Sequence, residues 1–178
     1  LILISGPPGS GRTTTMYSLM EEADTTLRIA FSVENRIGRV ISGVSQMEVG
    51  SGAAETQAAL IETVLRQTPD MLFIDELAGP ESMKTALRAA RELLVVAVIP
   101  GGDLGRVLAR FPEQGIAPAA PARVLQLLLT QRLVRKLCSC KRKGRLTPEI
   151  RDYFQQAHLS DANVCLPAGC RKCNGTGY

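Results

Sequence analysis

The chain has 178 residues, of which 45% are hydrophobic and 21% are charged, and its formal net charge at pH 7 is +4. This length allows one substantial domain with a small appendage, and the composition is that of an ordinary globular protein. No apolar run approaches the ~18 residues that a bilayer-spanning helix requires, which excludes such a helix. Because the chain begins at Leu1 inside a predicted strand, we expect a fragment of a longer protein.

The first predicted strand, residues 1–4, runs into the glycine-rich loop Gly6-Pro-Pro-Gly-Ser-Gly-Arg-Thr13. This is the G-x-x-x-x-G-K-[ST] phosphate loop with arginine in place of lysine. The glycines let the backbone turn tightly and aim its N–H groups at a polyphosphate, and a following helix adds the positive end of its dipole. The alternative is a glycine-rich turn that binds no ligand. The residues predicted to bind nucleotide and its Mg²⁺ here are Gly6, Pro7, Gly9, Ser10, Gly11, Arg12, Thr13 and Thr14.

Arg12 is the one departure from this motif. The charge is retained, so we expect phosphate affinity to survive. Arginine is wider and planar where lysine is a compact ammonium, and phosphoryl transfer depends mostly on positioning. The substitution therefore predicts nucleotide binding rather than efficient turnover.

Further along the chain, apolar β-formers alternate with helical patterns. Predicted strands cover residues 27–33, 44–49, 71–74 and 93–99. Predicted helices cover residues 13–22, 53–67, 80–92 and, capped by Asp103, 104–111; a long helix follows the 112–121 loop and runs to about Leu137; a small helix starts at Thr147-Pro148-Glu149. This alternation predicts βαβ units, a mostly parallel sheet with helices on both faces, and a nucleotide at the carboxyl ends of the strands.

Acidic side chains end two of these strands. Asp75 and Glu76 follow the apolar run 71–74, and Glu34 ends the preceding strand, which we take to be an edge strand. Such a pair suits nucleotide hydrolysis, with Asp75 anchoring hydrated Mg²⁺ and Glu76 polarising the attacking water. Glu34 is the second candidate for that catalytic task, and an ordinary surface glutamate is the alternative interpretation.

Four of the five cysteines form two closely spaced pairs. Cys170-Arg-Lys-Cys173 is the C-x-x-C turn that is typical of one half of a tetrahedral zinc site. Its partner Cys138-Ser-Cys140 is one residue shorter, and Cys165 could substitute for one of that pair. The predicted zinc ligands are Cys138, Cys140, Cys170 and Cys173; reduced thiols without metal are the alternative.

The charge is concentrated at one end. Residues 1–130 hold 11 Lys/Arg and 14 Asp/Glu, a net −3, whereas residues 131–178 hold 10 and 3, a net +7. A basic segment can meet nucleic acid, an acidic partner or anionic lipid. Without interleaved aromatic residues it does not favour single-strand binding, and a solvated charged face is the simpler interpretation. His158, the single histidine, is expected to be a surface or helix residue.

With these motifs in order, the chain resembles the ATPases of type II secretion and type IV pilus assembly. The most specific segments are residues 130–138 and 169–178, which look like the family's arginine-rich helix and its tetracysteine zinc segment. The resemblance implies a RecA-like carboxyl-terminal motor domain. It also implies hexameric rings that convert ATP hydrolysis into movement of a pilin-like assembly.

Several family positions carry other residues here. Besides Arg12, Asn35 and Gly38 stand where acids are expected, and Ala78 stands where an arginine is expected. Asp75 replaces a glycine, and residues 94–101, where a histidine box should fall, contain no histidine. So many departures together indicate a degenerate motor.

The combined prediction is an α/β protein with a RecA-like P-loop domain over residues 1–137, a mostly parallel twisted sheet, and a tetracysteine zinc lobe over residues 138–178. By resemblance the cofactors are ATP, Mg²⁺ and Zn²⁺. The expected partners are further copies in a homo-hexamer or hetero-ring and inner-membrane platform proteins, not nucleic acid. The expected location is cytoplasmic and peripheral to the inner membrane. Two alternatives stay open: a fully active hexameric secretion ATPase, and a scaffold subunit that binds no nucleotide.

Overall fold

The computed structural model describes residues 1–50, 56–77, 79–145, 148–156 and 164–178. These residues form two compact units, Leu1–Leu133 and Val134–Tyr178. The predictions that concern residues 51–55, Ala78, Thr147 and His158 lie outside the described part of the chain.

The first unit is built on a six-stranded sheet. Its strands are β1 (Ile2–Gly6), β2 (Ala30–Glu34), β3 (Val44–Glu48), β4 (Met71–Ile74), β5 (Leu94–Pro100) and β6 (Leu127–Thr130). Its helices are α1 (Arg12–Glu21), α2 (Gln57–Leu65), α3 (Gly79–Ala89), α4 (Leu104–Glu113) and α5 (Ala119–Val124). All neighbouring strands pair in parallel, in the order β3-β2-β4-β5-β1-β6. The predicted α/β architecture with a mostly parallel sheet is confirmed.

Helices cover both faces of this sheet. On β1, Leu3 packs into a core that includes residues of α2, α3 and α4, whereas Ile4 packs into a second core with Met16 and Met20 of α1. Successive strand side chains point to opposite faces, so a strand buried on both faces must be apolar at nearly every position. The buried run from Val95 to Ile99 on β5 has that character.

Helix α4 begins where the sequence predicts. The side chain of Asp103 accepts a hydrogen bond from the backbone N–H of Arg106 at 2.9 Å, which caps an otherwise unpaired donor. This helix follows β5 directly, so its first turns lie at the carboxyl edge of the sheet.

The long helix predicted after residue 121 is wrong. Helix α5 ends at Val124, and Leu127–Thr130 instead forms β6, which pairs in parallel with β1. The leucine-rich run fits both a helical face and a short strand, and periodicity cannot separate the two. In this fold the strand completes hydrogen bonding along β1, whose other side is paired with β5. The prediction of an arginine-rich helix over residues 130–138 is also wrong, because Thr130 ends β6 and residues 131–138 are neither helix nor strand.

The prediction that Glu34 ends an edge strand is also wrong. Its strand, β2, lies between β3 and β4, so β3 forms that edge of the sheet. The carboxyl end of β2 is therefore enclosed by neighbours on both sides.

The second unit contains little regular structure. It holds the two-residue strands β7 (Arg142–Lys143) and β8 (Cys165–Leu166), which pair antiparallel, helix α6 (Pro148–Gln156) and a 3₁₀ turn, Arg171–Cys173. Within the described part of this unit no hydrophobic side chain is fully buried. Across the described residues of both units, none of the helices has the length and apolarity needed to cross a bilayer.

Candidate functional site: a phosphate loop and a cysteine cluster

The glycine-rich segment forms a tight loop between β1 and α1. Gly9 and Gly11 adopt the left-handed conformation, with φ of 73° and 84°, and the N–H of Ser10 donates to the carbonyl of Pro7 at 3.1 Å. At Gly6 a β-carbon would collide with the Ser10 hydroxyl and the carbonyl oxygen of Gln131. The loop therefore needs glycine for backbone shape at two positions and for close packing at a third.

A cavity of about 820 Å³ opens beside this loop. The loop side contributes Gly6, Pro7, Pro8 and Arg12, the end of β4 contributes Glu76, and the opposite wall comes from the end of β5 and from α4. The lining residues on that wall are Pro100, Gly101, Gly102, Arg106, Ala109, Arg110, Glu113 and Gln114. The volume is within the range of small-molecule sites.

Three buried polar atoms at the loop lack a partner among the described residues: Nη1 of Arg12, and the hydroxyl oxygens of Ser5 and Ser10. Buried donors without partners are rare in folded proteins and point to a missing ligand or water. A guanidinium is always charged and offers five N–H donors, which suits an anion such as phosphate. The loop residues thus fit a bound polyphosphate.

Thr13 and Asp75 come together next to the loop. The Thr13 hydroxyl donates to Oδ1 of Asp75 at 3.3 Å. Burial raises the pKa of Asp75, the charges of Glu34 and Glu76 raise it further, and the hydrogen bond from Thr13 opposes the shift. A hydroxyl and a carboxylate held this close are the hard oxygen donors that Mg²⁺ prefers, so the pair fits that ion.

Glu76 and Thr14 are two further predicted site residues, and only Glu76 lines the cavity. Glu76 lines the cavity, and its main-chain carbonyl accepts a 2.6 Å hydrogen bond from Nε2 of Gln57. Thr14 is exposed in the first turn of α1, where its carbonyl accepts from the Ser18 hydroxyl at 3.1 Å.

Glu34 is fully buried and hydrogen-bonded, so it is not a surface residue. Its carboxylate accepts from the Tyr17 hydroxyl at 2.5 Å, from the Ser32 hydroxyl at 2.6 Å and from Nε2 of Gln46 at 2.8 Å. The Tyr17 oxygen in turn accepts from the N–H of Gly38 at 2.8 Å. Glu34 is not among the residues that line the cavity. It joins α1, β2 and β3 behind the loop.

Two residues at the site are not predicted from the sequence motifs. Gln131, directly after β6, hydrogen-bonds to the loop, and Arg110 of α4 lines the cavity while its Nη1 donates to the Pro100 carbonyl at 2.8 Å. The rule that polar residues at the carboxyl ends of parallel strands meet at one sheet edge applies to Gln131. The helix predicted over this segment conceals that signal.

The second unit brings together the sulfur atoms of the four cysteines that are predicted to bind zinc. Sγ atoms of Cys138, Cys140, Cys170 and Cys173 lie within 4.8 Å of one another, and three of the separations are 3.9, 3.9 and 3.8 Å. Tetrahedral zinc with Zn–S bonds of ~2.3 Å requires S···S separations of about 3.8 Å, so the cluster can hold zinc. Cys165 lies on β8, outside this group of four sulfurs.

Backbone N–H groups already favour a thiolate in this cluster. The N–H of Cys170 and the N–H of Gly177 each lie 3.2 Å from Sγ of Cys173. These donors, that of Cys170 above all, lower the pKa of Cys173 to about 6, whereas burial raises the pKa of Cys140 to about 11. A metal must bind thiolates, so the N–H groups at Cys173 assist it.

Comparison with known sequences gives matches over the whole chain. A family model described as "Type II/IV secretion system protein" matches residues 1–178. The chain is 32% identical over 182 residues to the type IV pilus assembly ATPase PilB of Thermus thermophilus, covering 100% of this chain and 20% of that protein. It is also 32% identical over 180 residues to type II secretion system protein E of Aeromonas hydrophila, covering 100% of this chain and 36% of that protein. The chain thus spans little more than a third, or less, of these relatives.

Solved structures give the same result for the fold. The pilus retraction motor PilT with bound ADP superposes with a TM-score of 0.69 at 27% identity, over 89% of this chain and 50% of that one. The VirB11 ATPase from the Brucella suis type IV secretion system superposes with a TM-score of 0.61 at 17% identity, over 76% and 46%, which bears on the fold alone. The predicted fold class and the predicted family resemblance are both confirmed.

Proposed function

We propose that this chain, which belongs to the type II/IV secretion system protein family, is an ATP-binding motor-domain homologue with impaired ATP hydrolysis. ATP binding is inferred mainly from Arg12, which lines the cavity beside the phosphate loop. Its Nη1 is buried and has no hydrogen-bond partner among the described residues. A buried donor that is always charged is costly without a partner, and a bound anion would supply one.

Different residues of the chain would bind the phosphates, the Mg²⁺ ion and the attacking water. Backbone N–H groups of the loop and of the first turn of α1 would bind the β- and γ-phosphates, and the Arg12 guanidinium would add charge. The Thr13 hydroxyl and the Asp75 carboxylate would hold Mg²⁺, which would supply positive charge to neutralise that of the phosphates. Glu76, which lines the cavity, would orient the attacking water.

Impairment is inferred from positioning. The forked Arg12 cannot occupy the narrow space between β- and γ-phosphates as lysine does, and a misplacement of 1 Å can cost about a hundredfold in rate. Glu34, the second catalytic candidate, already accepts three hydrogen bonds and is fully buried. It does not line the cavity either, so it is poorly placed to act on a water there.

The test combines binding and turnover measurements on the full-length, assembled protein. Calorimetry should detect ATP binding that depends on Mg²⁺, while release of phosphate from radiolabelled ATP should be slow. Arg12→Lys should raise hydrolysis by about ten- to a hundredfold, because it restores alignment without changing charge. Arg91→Lys, the same exchange at an exposed arginine, is the matched control and should change nothing.

The outcomes separate the competing functions. Rapid Mg²⁺-dependent turnover without any substitution, unaffected by Arg12→Lys, would mean a fully active ATPase. An absence of binding heat with ATP would mean a scaffold subunit, and would also remove the nucleotide site itself.

The remaining features follow from the family and are part of the same proposal. The four-cysteine cluster would hold structural zinc in the second unit. The protein would act in a homo-hexamer or hetero-ring at the cytoplasmic side of the inner membrane, together with platform proteins of a secretion or pilus system. Size measurement of the full-length protein with ATP, with and without the Arg12→Lys exchange, tests the ring.

A further inference from the structure

We infer that Gln131 is a positioning residue that holds the phosphate loop in its anion-binding shape. The inference rests on the proposed function, since it assigns a role within the same nucleotide site. Gln131 directly follows β6 and lies 121 positions from Ser10, so it is no part of the loop motif.

Gln131 is bonded to the loop at both ends of its amide group. Its Nε2 donates to the Ser10 carbonyl at 2.7 Å, and its Oε1 accepts from the Thr15 hydroxyl at 3.0 Å. The main-chain N–H of Gln131 also donates to the Ser5 carbonyl at 2.9 Å. One residue therefore ties together the end of β1, the middle of the loop and the first turn of α1.

Both motif glycines face this residue. A β-carbon at Gly6 would collide with the main-chain oxygen of Gln131, and one at Gly11 would lie 3.3 Å from its Nε2. Glycine at these two positions lets the loop pack against Gln131. Both glycines thus leave room for Gln131, and Gly6 also leaves room for the Ser10 hydroxyl.

This contact matters for an anion because of where the Ser10 carbonyl points. A cradle for phosphate needs its N–H groups turned toward the ligand and its carbonyl dipoles turned away. Nε2 of Gln131 engages the Ser10 carbonyl, which keeps that negative dipole away from the phosphate. The side-chain amide of Gln131 supplies a donor for the Ser10 carbonyl and an acceptor for the Thr15 hydroxyl at every pH.

The first measurement is ATP affinity. Gln131→Ala should weaken Mg·ATP binding by about five- to tenfold, the effect of one lost hydrogen bond that orders the loop. Gln126→Ala, the same exchange at an exposed position just before β6, should leave the affinity unchanged. Thr15→Val removes only the hydroxyl donor and should weaken binding by about two- to threefold, which keeps a result available if Gln131→Ala fails to fold.

The second measurement uses pH to separate positioning from general stability. In Gln131→Glu the new carboxyl group can donate to the Ser10 carbonyl only when it is protonated. The ratio of wild-type to variant ATP affinity should therefore be large at pH 8 and fall as the pH is lowered to 5. For Gln131→Ala the ratio should stay constant over that range. A purely structural role for Gln131 would lower the melting temperature of both variants and leave both ratios independent of pH.

The third measurement needs no nucleotide. The backbone amides of Gly6 and of residues 9–12 should exchange hydrogen faster in Gln131→Ala than in Gln126→Ala. Equal exchange rates, or equal ATP affinities of these two variants, would overturn the inference. Should the unsubstituted protein bind no ATP, the proposed function fails, and the exchange rates alone decide whether Gln131 shapes the loop.

Discussion

Removing the Tyr17 hydroxyl tests what Glu34 does. In Tyr17→Phe the buried carboxylate of Glu34 loses its 2.5 Å donor and keeps those of Ser32 and Gln46. The ring keeps its place, since Arg39 lies over it at 5.3 Å and the packing involves its carbons. The substitution therefore removes two hydrogen bonds, the one donated to Glu34 and the one accepted from the N–H of Gly38, with little change in volume.

The expected loss in the free energy of unfolding is about 2 kcal/mol. A hydrogen bond to a charged group contributes about 1.5–3 kcal/mol, and the N–H of Gly38, which loses its acceptor, is exposed enough to bind water instead. For a domain of this size each kcal/mol lowers the melting temperature by about 2–4 °C, so the expected drop is about 4–8 °C. Urea unfolding followed by circular dichroism measures both the midpoint and the slope.

A double-mutant cycle with Glu34→Gln assigns the effect to this pair. If the hydroxyl acts through Glu34, the two substitutions should be non-additive by about 1 kcal/mol or more. Tyr178→Phe is the matched control, because Tyr178 is half-exposed, and its effect should stay within about 0.5 kcal/mol.

The pH dependence gives a second check. Burial, then the hydrogen bond to Glu34, raises the pKa of Tyr17 above its ordinary value of 10.0. A raised pKa contributes stability that is fully present below pH 10 and is lost as the pH rises through the folded-state pKa. Tyr17→Phe should therefore lose less stability than the wild type above about pH 10. A destabilisation under about 0.5 kcal/mol with an additive cycle would refute this account and leave Glu34 available for catalysis.

Three further predictions concern the other parts of the site. Metal analysis of the purified protein should find about one zinc per chain, lost in Cys173→Ser but retained in Cys165→Ser, since only the former belongs to the cluster; zinc retained by Cys173→Ser would contradict the assignment. Because the folded-state pKa of Asp75 is raised, its contribution to stability is present below pH 3.8 and lost as the pH rises through the folded-state pKa. Asp75→Asn should therefore resist urea better than the wild type at neutral pH without nucleotide, and this difference should shrink below about pH 4. ATP binding by Asp75→Asn should no longer depend on Mg²⁺. Gly6→Ala should abolish ATP binding in calorimetry, because the new methyl group collides with the backbone oxygen of Gln131. In Gly9→Ala the new methyl group has nothing within 4 Å, so the substitution should cost only the ~1–2 kcal/mol of the left-handed conformation. Equal effects of the two substitutions would contradict the close packing of Gly6 against Gln131.

Local signals account for most of what the sequence predicts. The loop between β1 and α1, the cap at Asp103 and the acidic end of β4 are each encoded within a few residues, and the structure has the elements there. The segment 127–130 is different, because its strand state depends on pairing with β1, more than a hundred residues earlier. No local pattern contains that information.

The same limit applies within the site. Thr13 and Asp75 are predictable partners, since a phosphate loop and a neighbouring strand end meet at one edge of a parallel sheet. The donors to Glu34 come from three separate elements, and the contact of Gln131 with Ser10 joins the two ends of the unit. Such contacts require the register of the whole sheet, which side-chain periodicity alone does not fix.

Helix α1 connects several residues of the candidate site. Arg12 is its first residue, Thr13 bonds to Asp75, and Tyr17 bonds both to Glu34 and to the N–H of Gly38. Arg12 and the contacts to Asp75, Glu34 and Gly38 are thus joined through one helix. A shift of that helix would move Arg12, Thr13 and Tyr17 together, because side chains in a close-packed interior transmit displacements to their neighbours. It would therefore change the contacts to Asp75 and to Glu34 at the same time.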